Sequence, residues 1–127
     1  MTPFVDASGV ENLFELFSRT SPGVRRELIV RCKQSETLMS VHARRAEFAA
    51  LDVAIYNYWV TREQPGRYET FHAKVLLSDH TKAYVGSSNM TEASLSFSME
   101  LGFVVGGNAA GLVASICESV KSITTPL

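Results

Sequence analysis

The chain has 127 residues, of which 46% are apolar, with two cysteines and a formal net charge of −1. That length holds one packed core and leaves little for a second domain, and no apolar run approaches the roughly 20 residues needed to cross a bilayer. The balanced charge excludes a uniformly basic partner for nucleic acid or anionic membrane, and "MTPFVDASG" lacks the basic patch and apolar stretch of a signal peptide, so a cytoplasmic protein without membrane insertion is expected.

Taken in chain order, the elements alternate. Ser8 followed by Glu11 predicts a capping box opening a helix that runs to about Ser18, with Val10, Leu13, Phe14 and Phe17 on one face. "SPG" at 21–23 ends it. "ELIVRC" is a short apolar run suited to a buried strand, and "SETLMSVHARRAEFAAL" carries helical recurrence with a second capping candidate at Ser35. "VAIYNYWVT" is β-branched and aromatic, which predicts a strand placing Asp52, Tyr56, Tyr58 and Trp59 in or beside the sheet, and "REQPGRYE" is the loop after it. "FHAKVLLSDHTKAYVG" predicts two strands joined at "SDHTK". A short helix after Asn89, a strand "ELGFVV", and a closing helix from about Asn108 to Ser122 complete the chain. Strands interleaved with helices give an α/β class, a mixed sheet sandwiched by helices in a single domain over 1–127. Cys32 and Cys117, each in an apolar setting, fit reduced core thiols.

Charge is distributed unevenly. Arg19, Arg25, Arg26, Arg31, Lys33, Arg44 and Arg45 stand against only Glu27 and Glu36, whereas residues 86–127 hold Lys121 against Glu92, Glu100 and Glu118. The basic stretch is either a surface for an anion or a solvated helix face with strand ends.

The stretch "FHAKVLLSDHTKAYVGSSN", residues 71–89, carries the chemistry. Alternation along a strand makes His72 and Lys74 co-facial. A lysine on a buried strand is costly unless it meets an anion, and its charge favours the neutral, nucleophilic form of a neighbouring imidazole. Such a pair suits a phosphate: Lys74 supplies a point charge, Ser87 and Asn89 can donate hydrogen bonds, and Gly86 allows close approach of the backbone. Asp79 sits at a tight turn and is expected to be structural, with His80 a solvated turn residue. His42 falls on a predicted helix as a surface residue. The histidines lack metal-ligand spacing, so neither a metal nor a cofactor is expected.

The spacing H-x-K-x4-D-x6-G-S-x-N, filled by His72, Lys74, Asp79, Gly86, Ser87 and Asn89, resembles the HKD signature of the phospholipase D superfamily. The flanks "TPFVDASGVENLFELF" and "NMTEASLSFSMELGFVV" are similar to the corresponding family segments. Ser98 departs from the asparagine common there, and the chain starts after where a full first core strand would lie. The resemblance implies a phospholipase D-like half-domain with one HKD motif and a two-step displacement at a phosphodiester. In it His72 is the nucleophile that becomes a phosphohistidine, Lys74, Ser87 and Asn89 hold the phosphate, and Glu100 orients the imidazole. A second histidine must protonate the leaving oxygen, since one imidazole cannot attack and protonate in line at once. That points to a homodimer or a second HKD domain.

Nucleases, phospholipases, phosphatidyl transferases and inactive relatives all share this signature, and the fold alone does not choose among them. The absence of an amphipathic docking segment, with Arg62, Arg67 and Lys82 near the motif, favours a metal-independent, nucleic-acid-directed phosphodiesterase. The segment from Ser87 to Val105 also looks similar to phospholipase D-like components of bacterial anti-phage defence such as DISARM. The alternative is a non-catalytic subunit that binds nucleic acid or a protein.

Overall fold

The computed structural model describes residues 1–32 and 36–127. Helix α1 spans Ala7–Ser18, strand β1 Arg26–Val30, helix α2 Glu36–Ala43, helix α3 Arg45–Ala50 and strand β2 Val53–Asn57. A small hairpin of β3, Val60–Thr61, and β4, Tyr68–Glu69, leads into β5, Lys74–Ser78, and β6, Lys82–Gly86. A single π-helical turn at Ala93–Phe97 precedes β7, Gly102–Gly106, helix α4, Gly107–Lys121, and a short β8, Thr125–Pro126.

Two three-stranded sheets carry the fold, ordered β1-β2-β8 and β5-β6-β7. The β1–β2 pair is parallel and the other pairings are antiparallel, so the predicted mixed α/β arrangement holds. Residues 1 and 2 stitch the halves together. The Met1 amino group donates to Val75 O at 2.7 Å and Val75 N returns a bond to Met1 O at 2.9 Å, while Thr2 N donates to Ile29 O at 3.0 Å. Residues 1 and 2 thus link the two sheets.

Alternation along β1 shows how the layers sit. Leu28 and Val30 join the main core with Val10 and Leu13 of α1, Val41 of α2 and Phe48 of α3. Ile29 is also buried but points to the opposite face, where Glu27 accepts from Lys121 of α4 at 3.0 Å. The strand is covered on both sides, which is why it reads as a continuous apolar run. Helices α1 to α3 cover only the β1–β2 half of their side. On that same side of β5–β7, Leu76 and Val104 stay open, with Val104 74% exposed.

Local chemistry corrects several expectations. The cap of α1 is Asp6 and not Ser8: Asp6 Oδ1 accepts from Gly9 N at 2.8 Å. Asp6 is the better choice because its second oxygen accepts from Glu92 N at 2.8 Å, a bond across the whole chain. The helix expected over 35–51 breaks at Arg44, and the strand expected over 53–61 stops at Asn57. The Ser35 cap and Lys33 lie outside the described residues. Asp79 and His80 both adopt left-handed backbone, with φ of 50° and 57°, and Thr81 N donates to Ser78 O at 3.0 Å. That is a type I′ hairpin turn, with Asp79 at its first central position. No helix among the described residues is long and apolar enough to cross a membrane.

Gly9 lies against the backbone of Met90, where a Cβ would overlap the Met90 carbonyl. Gly9→Ala is therefore expected to lower stability by more than about 2 kcal/mol, because the obstacle is backbone that must move; a denaturant midpoint equal to wild type would contradict this packing. His80→Gly should instead raise stability by about 1 kcal/mol, by relieving a left-handed residue in a turn that favours Asp-Gly; thermal melting measures it, and an unchanged or lower melting temperature would refute the turn assignment.

Candidate active site

The motif residues converge at one end of the sheet. The carboxyl ends of β1 and β6 meet the amino ends of β5 and β7 there, the position at which open α/β sheets present ligand sites. His72 lies two residues before β5, off the strand itself, and is exposed. Lys74 opens β5 and is only 6% exposed. The expected meeting of the two occurs: Lys74 Nζ stands 2.9 Å from His72 Nδ1. An ammonium has only protons to give, so the imidazole accepts at Nδ1 and its own proton resides on Nε2 in the neutral form.

Ser87 and Glu100 face each other across β6 and β7. Ser87 Oγ donates to a Glu100 carboxylate oxygen and accepts from Leu101 N at 3.1 Å, while Ser87 N donates to Leu101 O at 3.0 Å. The Ser87 hydroxyl, expected at the phosphate, thus spends its proton on Glu100. The hydrogen bonds from Ser87 and then Ser94, together with the Lys74 charge, hold the Glu100 carboxyl below the usual carboxylate range. Among the described residues the recorded hydrogen-bond partners of Glu100 are these serines, and the ring nitrogen of His72 is engaged by Lys74.

Asn89 follows the loop after β6. Its position is fixed through the next residue, since Met90 N donates to Thr2 Oγ1 at 3.3 Å and Met90 O accepts from Asp6 N at 3.2 Å. Asn89 Oδ1 is buried without a hydrogen-bond partner. A buried unmet acceptor costs about 1–3 kcal/mol and is retained in native proteins where a ligand or a mechanism uses it.

Gly86 pairs with Lys74 on one side and Gly102 on the other. The Tyr84 ring lies across both glycines, and a Cβ at either would overlap it. The glycines therefore serve a tyrosine as much as a ligand, which the motif alone did not signal. Phe4 escaped the sequence reading, and Arg31, read there only as one of the basic stretch, joins it at the site. The Phe4 ring meets His72 edge-on with centroids 5.9 Å apart, and the Arg31 guanidinium lies 4.5 Å over the Phe4 centroid. Their separation in sequence hides the stack.

His42 is exposed on α2, and His80 is exposed in the hairpin turn, as expected. Among the described residues no group of three histidine, cysteine, aspartate or glutamate side chains is placed to hold a metal. A cavity of about 760 Å³ lies within the β3–β4 hairpin, lined by Arg62, Arg67 and Glu69 among others, apart from the motif. Both cysteines are free; burial pushes the Cys32 thiol up to about 11, which keeps it inert.

The fold resembles two solved structures. NucT from Helicobacter pylori matches with a TM-score of 0.72 and 13% identity, over 100% of this chain and 79% of that one. Nuc from Salmonella typhimurium, a phospholipase D family member, matches with a TM-score of 0.69 and 16% identity, over 98% of this chain and 76% of that one. No curated protein sequence matches the chain. The model of the family described as cardiolipin synthase, PLD-like domain, matches residues 3–121. With that match spanning the motif and its supporting elements, the chain belongs to the phospholipase D-like domain family.

Proposed function

We propose that the protein is a nucleic-acid-directed phosphodiesterase that works through a phosphohistidine at His72. The observation that carries this reading is the exposed His72 ring held 2.9 Å from the buried Lys74 ammonium, with the buried, unpartnered Asn89 amide oxygen on the loop after β6. A phosphate entering the site competes for the Lys74 ammonium. Once Lys74 turns to a nonbridging oxygen, Nδ1 is free to carry the ring proton toward the Glu100 carboxylate, and Nε2 becomes the nucleophile. Nε2 then attacks phosphorus, the bond to the leaving oxygen breaks, and that oxygen takes a proton from a second histidine. In the second step this histidine removes a proton from water, the water oxygen bonds to phosphorus, and the N–P bond breaks to regenerate His72. Lys74 and Asn89 stabilise charge on the phosphoryl oxygens throughout.

The second histidine is the His72 of another copy of this chain, or that of a second HKD domain. The apolar surface around the site supports association. Phe97, Met99 and Leu101, in the segment leading to and past Glu100, are 80%, 98% and 69% exposed, and Leu76 and Val104 lie open on the adjoining sheet face. Large apolar side chains exposed to this degree beside a site are the kind of surface an interface covers. The likeness of the segment from Ser87 to Val105 to defence-system components is what supports a role in bacterial anti-phage defence. Nucleic acid is preferred over lipid because a basic side chain, Arg31, stands near the site.

Hydrolysis of bis(p-nitrophenyl) phosphate is expected to persist in EDTA and to fall by at least about 1,000-fold in His72→Ala. Activity lost to chelator and restored by a divalent ion would overturn the metal-independent mechanism. A folded protein that binds phosphate without hydrolysing any diester would favour the non-catalytic alternative. Light scattering should give the mass of two chains, and Met99→Glu combined with Phe97→Glu should give one chain with at least about tenfold lower activity and little change in melting temperature. A monomeric mass with full activity would refute the shared site.

A further inference from the structure

We infer that Arg31 is a second phosphate contact, gripping the nucleic-acid backbone at a phosphate flanking the scissile one; the inference rests on the nucleic-acid reading above. The basic stretch from Arg19 to Arg45 offered an anion surface, and the structure removes most of it. Arg19 pairs with Glu15, Arg25 with Glu27 and Glu118, and Arg44 with Glu11 and Glu47, while Arg26 donates to Thr20, Ser21 and Leu51. Arg31 differs. Among the described residues its recorded contact is the Phe4 ring, 4.5 Å from the guanidinium carbon, and no carboxylate neutralises it.

The stack also fixes where that charge stands. Phe4 touches both Arg31 and His72, with its centroid 4.5 Å from the guanidinium carbon and 5.9 Å from the imidazole centroid, so the guanidinium lies within roughly 10 Å of the nucleophile. The backbone beneath is pinned: Asn57 Oδ1 accepts from Cys32 N at 2.9 Å and Asn57 Nδ2 donates to Cys32 O at 3.1 Å. Arg31 is half-buried with its guanidinium over the ring, and among the described residues no hydrogen bond or ion pair engages its N–H groups. A planar guanidinium presents paired donors that match two phosphate oxygens, and holding it on a ring limits the rotamer freedom lost on binding. Lys74 meets the phosphate under attack, so an uncompensated arginine one ring away suits the next phosphate along the strand. A substrate with a single phosphodiester cannot use it.

The test reads binding apart from turnover. In a His72→Ala background, fluorescence anisotropy with a labelled single-stranded DNA oligonucleotide, and in parallel the same sequence in RNA, is expected to show about tenfold weaker affinity when Arg31→Ala is added. The slope of log K against log salt should fall by about one. Phe4→Leu, which removes the platform but keeps the arginine, should weaken binding in the same direction by a smaller factor. In active protein, Arg31→Ala should depress kcat/KM for the oligonucleotide about tenfold more than for bis(p-nitrophenyl) phosphate. Equal losses on the two substrates, or an unchanged salt slope, would overturn the assignment. An oligonucleotide that binds neither protein would overturn it together with the nucleic-acid reading, whereas reporter hydrolysis by wild type would still uphold the phosphodiesterase.

Discussion

Two hydrogen bonds between Met1 and Val75 form the backbone seam between the two sheets. They join the sheet carrying β1 and β2 to the sheet carrying β5 to β7, and Thr2 completes the seam by pairing with β1. Every later feature inherits its place from that seam. Phe4 emerges from it beside His72, and Val5 pairs with Met90, which anchors the loop that carries Asn89. Asp6 follows directly, capping α1 with one carboxylate oxygen and holding Glu92 N with the other. Six consecutive residues therefore set the helix layer, the sheet order and the phosphate-site loop together. Their side-chain and backbone bonds are individually worth about 1 kcal/mol, and it is their shared backbone that makes them act as a unit.

The site illustrates how a buried cation is tolerated. Lys74 is almost wholly out of water, yet its side chain meets a ring nitrogen and the field of a nearby carboxylate rather than a full ion pair. Desolvation penalises an isolated ammonium heavily, so this arrangement is poised to gain from an incoming anion. Glu100 is kept ionised by serine hydroxyls, which leaves the Lys74 charge partly unspent. A full salt bridge in place of that long-range attraction would quiet the site.

How much of this was legible depended on the distance over which each residue acts. The HKD spacing was readable because His72, Lys74, Gly86, Ser87 and Asn89 lie on two adjacent strands and their loop, so sequence interval translates into position. The α/β class followed from periodicity. The α1 cap was misplaced because Ser8 and Asp6 are both good caps, and the bond that decides between them comes from Glu92, far along the chain. The fate of the arginines was hidden for the same reason: Arg44 finds Glu11 and Arg25 finds Glu118 only after folding. Tyr84 over Gly86 and Gly102 was invisible because the third strand supplies half of the floor.

The pairing of residues 1 and 2 with β1 and β5, and of residues 125–126 with β2, bears on how the molecule folds. Met1 finds its strand partner at Val75, 74 positions further along the chain. The neighbour of β2 is supplied by Thr125–Pro126, with Leu127 N donating to Ile55 O at 3.0 Å. Chain order and pairing order are thus decoupled. Non-local pairings of this kind incur loop-closure entropy before they return any burial, which slows the search and prolongs exposure of unpaired strand edges. Until Thr2 docks on β1 and residues 125–126 on β2, the outer edges of that strand pair stay without partners.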